Sequence, residues 1–156
     1  MTGAAAWGAA AGLVGVGAMT AAEKLEQAFT HRPNSYVPAR ALLTLLGKEP
    51  SDHDAPTTWN HAMHWGTGAA LGALRGVWAA VGMRGAHANV THTIVRLAFD
   101  QTVENATGAG APPSTWPGVE QRVDVVHKAV YSLVTGWVAD RWIPAKLQSR
   151  RGVTSH

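Results

Sequence analysis

The chain contains no cysteine, which excludes disulfides, zinc-thiolate sites, iron-sulfur clusters and thiol nucleophiles together. Charge is scarce as well: Asp, Glu, Lys and Arg make up 15% of the residues, against roughly 25% in soluble domains. That scarcity points toward a membrane. Lys and Arg are scattered rather than gathered into a basic stripe, so the formal charge of +3 offers no footprint for nucleic acid. No serine sits in a Gly-x-Ser-x-Gly elbow, and the glycine-rich stretches match neither a P-loop nor a dinucleotide fingerprint. Hydrolase and nucleotide-enzyme classes lose their usual signatures. Long apolar runs are also nearly absent. Only Thr2 to Ala22 is both apolar and free of charge over the roughly 20 residues that a bilayer crossing needs. It lacks a basic leading segment and a clear cleavage site, and so reads as an uncleaved anchor. With 156 residues there is enough chain for one core and too little for two, so a single helical domain over 1–156 is expected.

Four long helical stretches fill most of that length. The first is expected from Ala4 to Phe29, with Gly8, Gly12 and Gly15 at spacings that let a second backbone approach closely. Pro33, Pro38, Pro50 and Pro56 then exclude one continuous helix. Between these breaks a short amphipathic helix fits Val37 to Leu46, covering the end of the bundle. The second long helix should start at Pro56 or Thr57 and reach Met83, with Gly68, Gly72 and Gly76 recurring every fourth residue and His61, His64 and Arg75 close to the same stripe. The third, Asn89 to Asn105, places His92, Arg96, Asp100 and Glu104 in one column. Thr107 to Gly118 is turn-rich and carries adjacent prolines. The last helix runs from Pro117 to Trp142, with Glu120, Asp124, His127, Tyr131 and Thr135 at steps of three and four. After Pro144 a basic tail is expected to be mobile.

If these helices alternate in direction, Glu23, Glu26, His61, His64, Arg96, Asp100, Glu104, Asp124 and His127 all fall at one end, while the other end is nearly empty of such groups. Ionisable groups on apolar helices are costly unless they pair, bind an ion or meet water. Three explanations stay open. In carboxylate-bridged di-metal bundles, Glu-x-x-His pairs aim an oxygen and an imidazole at one point. Asp124-x-x-His127 copies that geometry with Asp for Glu, His61-x-x-His64 replaces the second pair, and Glu23 with Asp100 or Glu104 could complete a site for a divalent transition metal. Arg96 in the same column would repel that ion. The second explanation is a structural network, with Arg96 paired to Asp100, Glu23 or Asp124, His64 to Glu104, and Tyr131 to a backbone acceptor. In the third, histidines and carboxylates on neighbouring turns bind or relay a small solute, ion or proton. The loops RPNSYVP and TGAGAPPSTWP join helices at the polar end, where they could form a lid.

Several of these features occur together: a Gly/Ala-rich first helix ending in Glu23, His61 opening the second helix ahead of a glycine stripe, His92 in the third, the TG-x-G-x-PP turn at Thr107 to Pro113, and Glu120 with His127 and Tyr131 in the fourth. In these the chain resembles the YagU-like family of uncharacterised bacterial inner-membrane proteins. The resemblance implies a multi-pass helical membrane protein and no particular enzymatic activity. Greater charge in the third and fourth helices departs from that pattern. Arg84, Arg141, Lys146, Arg150 and Arg151 lie at the end shared by both termini, which the positive-inside rule places in the cytoplasm. The sequence thus predicts an all-α, antiparallel four-helix bundle crossing the cell membrane several times. Its partners are the lipid bilayer and, through the glycine stripes, a homo-oligomer or a larger membrane complex. A metal-dependent oxidoreductase or hydrolase, and a structural or assembly subunit, are the alternative functions.

Overall fold

The computed structural model describes residues 1–146. These form α1 (Thr2–Thr30), α2 (Val37–Leu45), α3 (Thr57–Ala80), α4 (Gly85–Ala106) and α5 (Gly118–Trp142), with a single 3-10 turn at Pro113–Thr115 and no strand among the described residues. Most of the expected basic tail lies outside them.

The four long helices alternate in direction. As α1 advances, Gly8 faces Gly72 and Gly76, and Gly12 faces Gly68 and Gly72, so α1 and α3 run antiparallel. Trp7 meets Trp142, with ring centroids 5.7 Å apart, while Gly15 faces Tyr131 and Thr135, which sets α5 antiparallel to α1. Across α4 and α5, Gly85 lies by Asp140 and Asp100 by Lys128, again antiparallel. The glycine stripes expected to bring backbones together do so between α1 and α3 of the same chain. α2 lies across the end of the bundle, against α3 and α4.

Two helix boundaries depart from expectation, each for a local reason. α3 stops at Ala80 rather than Met83 because Gly82 turns the chain at φ 92°, a conformation open to glycine. α4 starts at Gly85, four residues ahead of Asn89, where its own sequence offers no capping side chain. The cap comes from another helix: the Gly85 N–H donates to Asp140 Oδ2 on α5 at 3.1 Å, satisfying a first-turn donor that would otherwise be orphaned.

Apolar residues form the core where α1, α3 and the end of α5 meet, but along α4 and the middle of α5 the buried side is polar. Along α4 the buried residues are Ala88, His92, Arg96 and Asp100, while Val90 and Ile94 are each 60% exposed. On α5 His127, Tyr131, Ser132 and Thr135 are buried, whereas Val126, Leu133 and Trp137 are exposed. Of the described helices, α1 alone is long and apolar enough by composition to cross a membrane.

Candidate functional site

At the end of the bundle where α1 and α4 finish and α3 and α5 begin lies a cavity of about 350 Å³. α1 contributes Glu23, α3 His64, α4 Arg96, Asp100 and Glu104, and α5 Glu120, Asp124, His127 and Lys128. The α1–α2 loop lays Arg32 and Ser35 over it, and the α4–α5 loop adds Gly110, Ala111 and Trp116. Both loops therefore occupy the lid position expected from their place in the chain. Trp116 is anchored there by its indole N–H, which donates to the Ala111 carbonyl at 2.9 Å.

Charge inside the cavity is organised around two cations. The Arg96 guanidinium donates through Nε to Asp100 Oδ2 at 2.9 Å, one helical turn away. Lys128 bonds Asp124 on its own helix and approaches the same Asp100 oxygen to 3.6 Å across the α4–α5 interface. Asp100 thus ties two helices together. Glu104 lines the same cavity with no ion pair among the described residues. His64 faces the Thr20 hydroxyl at 3.4 Å rather than the expected Glu104. Glu26, one turn past the apolar run of α1, stays outside the cavity and pairs with Arg32 at 3.1 Å. Hydrogen bonds from the Thr30 hydroxyl and the Arg32 guanidinium hold its carboxyl below the ordinary value.

His61 does not join this group. His61 is exposed, as are Thr57, Thr58, Trp59 and Ala62, whereas Asn60 beside it is half-buried and lines the cavity, so His61 stands at the level of the cavity but is turned out of it. The expected metal ligands, Glu23, His61, His64, Asp100, Glu104, Asp124 and His127, do not form a ligand set: among the described residues no three His, Asp or Glu side chains are placed to share an ion. Asp100 and Asp124 direct their oxygens to Arg96 and Lys128 instead, and a divalent ion would have to displace both cations. Lys128 went unnoticed in the sequence because His127 beside it matched a metal motif. Its signal was the spacing of four from Asp124.

Deeper in the bundle, the Tyr131 hydroxyl donates to the Gly68 carbonyl at 2.7 Å, the backbone acceptor expected for it. Arg96 lies 5.0 Å above the Tyr131 ring, a cation–π arrangement closing the cavity floor. Tyr131→Phe leaves a buried carbonyl without its donor and is expected to cost about 0.5–1.5 kcal/mol, read as a lower unfolding midpoint with the helical content of the native state unchanged.

The opposite end is not empty, contrary to expectation. Arg75, fully buried on α3, donates to Asp140 Oδ1 at 2.9 Å and Asn89 Oδ1 at 3.2 Å. Arg84 donates to the carbonyls of Ala79, Asp140 and Ile143, so one of the basic residues counted for membrane orientation is engaged in holding helix ends. No family model matches the chain, and neither a curated protein nor a solved structure is similar to it.

Proposed function

We propose that the chain is a multi-pass membrane protein of the cell membrane whose interior cavity takes up a small polar solute, ion or proton from one aqueous face. The observation that carries this reading is the inversion of polarity along α4 and the middle of α5: His92, Arg96, Asp100 and His127 lie on the buried side, and Val90, Ile94, Val126, Leu133 and Trp137 on the outside. Water would drive the opposite arrangement. Lipid favours it, because ionisable groups in a bilayer turn toward the bundle interior. The inversion also accounts for the modest hydropathy of α3, α4 and α5. Their polar residues lower the average while facing inward, and their 22 to 25 residues exceed the roughly 20 that span a bilayer. The likeness to YagU-like inner-membrane proteins agrees with this placement and remains part of the proposal, as does a cytoplasmic position for the termini.

Within the cavity, Glu104 and Glu23 present carboxylates beside the histidines His64 and His127. Carboxylate and imidazole exchange protons within the physiological range, and their charge attracts small cations. The lid loops and the Arg96–Asp100 pair bound this chamber on two sides, so its occupant enters between the loops and stops at the floor.

The absence of cysteine makes a direct test available. In sealed vesicles, a single cysteine at Leu133→Cys is expected to resist a membrane-impermeant maleimide, while Ser114→Cys in the α4–α5 loop reacts in one orientation of the protein. Equal labelling of both positions, or release of the protein by alkaline carbonate, overturns the membrane reading.

A further inference from the structure

The polar interior continues past the cavity floor. Six side-chain atoms there are buried without a hydrogen-bond partner among the described residues: Arg96 Nη1, His92 Nδ1, Ser132 Oγ, Thr135 Oγ1, and both Nε and Nη1 of Arg75. Native interiors leave few buried polar atoms unpaired, and those that remain mark internal water or function.

The residues that carry these atoms follow one another along the bundle. Arg96 lies over the Tyr131 ring, whose centroid is 5.4 Å from that of His92. Ser132 follows Tyr131 directly and Thr135 lies one turn further along α5, both buried, and beside Gly136 lie both Asn89 and Arg75. Arg75 then reaches Asp140 at 2.9 Å, and Asp140 is itself part-exposed and bonded to the exposed end of α4. From Asp124 in the cavity to Asp140, α5 advances about 24 Å, most of the roughly 30 Å hydrocarbon thickness of a bilayer.

We propose that this column is a proton path across the membrane, running from the cavity at Glu104 to Asp140 at the opposite face. The proposal rests on the membrane reading above. Its chemistry needs only exchange of O–H and N–H bonds: each acceptor gains one proton and gives one up, and no electron moves. The guanidiniums of Arg96 and Arg75 only donate, so beside them the proton passes through interposed water to the carboxylates of Asp100 and Asp140. His92 is set for this. The Leu71 carbonyl, 3.0 Å from Nε2, can only accept, so Nε2 carries the hydrogen and Nδ1 presents a lone pair to the column. The Ser132 and Thr135 hydroxyls donate and accept alike, which lets them pass a proton through interposed water.

The two Asp–Arg pairs, Arg96–Asp100 and Arg75–Asp140, favour a proton over other ions. Each pair is close to neutral as a unit, so what it opposes is the passage of a bulky ion that needs its own ligands. An unpaired arginine would repel any cation, but here each guanidinium charge is offset by its aspartate. A metal ion must break these pairs to pass, whereas a proton needs only a hydrogen-bonded neighbour.

The test uses the purified chain in vesicles that enclose a pH-sensitive dye, driven by a potassium gradient with valinomycin. Wild-type vesicles are expected to change internal pH at least about tenfold faster than empty ones, with Asp140→Asn and Thr135→Val returning the rate toward the empty-vesicle value. Thr135→Val keeps the side-chain shape and removes only the hydroxyl, so it reports on the path even if Asp140→Asn fails to fold. Glu49→Gln, in an exposed loop, should conduct as wild type. A wild-type rate equal to that of empty vesicles, or wild-type rates in both column variants, overturns the path. Leu133→Cys labelling in the same vesicles separates the two proposals: protection without proton flux rejects the path alone, and loss of protection rejects the membrane reading with it.

Discussion

Asp140→Ala is expected to lower stability by about 3–5 kcal/mol, because it strands a buried arginine without its counter-charge. Arg75 is 0% exposed, and its two protein partners are the carboxylate of Asp140 and the amide oxygen of Asn89. With Asp140 gone, only the neutral amide faces the guanidinium. The same substitution removes the acceptor for the Gly85 N–H and so uncaps α4. Arg75→Met combined with Asp140→Leu should recover most of the loss, since replacing both members of a buried ion pair by apolar residues of similar volume is often neutral or stabilising. Detergent unfolding curves for the wild type, Arg75→Met, Asp140→Leu and the combined variant form a thermodynamic cycle. A large coupling between the sites is expected. If the two single losses simply add, the pair does not hold the far end of the bundle together.

This far-end pair also shows what sequence could not supply. Arg75 was visible on the glycine stripe of α3, but its partner lies 65 residues away, and no local pattern links positions that meet only after the bundle closes. The near-end cluster was legible for the opposite reason. His92, Arg96, Asp100 and Glu104 repeat at the helical period, so one helix displays the whole column, and alternating helix direction then brings Glu23, His64, Asp124 and His127 to the same level. Arg96 pairing with Asp100 followed from their spacing alone. His61 marks the boundary of such reasoning: it shares the level of the cavity with its neighbour Asn60, yet Asn60 lines the cavity and His61 is exposed, a difference in facing that spacing from His64 does not give. α4 makes the same point about boundaries. Its first turn is capped from α5, leaving no start signal in the nearby sequence, and the early start at Gly85 could not be read there.

Inversion of polarity explains why composition pointed only partway. A scan for apolar helices finds α1 because its inner face is glycine and alanine rather than charge. α4 and α5 present lipid-compatible faces while carrying arginine, aspartate, histidine and lysine inside, so averaging around the helix conceals the outer face. For these helices, the side on which each residue falls is more informative than the mean. That side depends on the close approach of α1 to α3, which sets where every inner face points.

Gly72→Ala is therefore expected to damage both stability and the interior column. A Cβ at Gly72 would lie 2.5 Å from Gly12 Cα and 2.5 Å from Gly8 O, and both contacts are backbone, which cannot move aside as a side chain can. α1 must shift outward, losing the close backbone packing that the small residues of the two helices allow. The expected loss is about 1–3 kcal/mol for alanine, and valine at the same position should prevent accumulation of folded protein. Gly66→Ala provides the contrast: it lies on the same helix with nothing within 4 Å of its added methyl, so its only effect is the helix-propensity gain of up to about 1 kcal/mol. Because α1 separates α3 from much of α5, outward movement at Gly72 should also loosen the Tyr131 hydrogen bond to Gly68 and the approach of Arg75 to Asp140. Unfolding midpoints should fall for Gly72→Ala and hold or rise for Gly66→Ala, with proton flux reduced only in the first. Equal stability of the two variants would mean that the glycine seam is looser than the backbone contacts require.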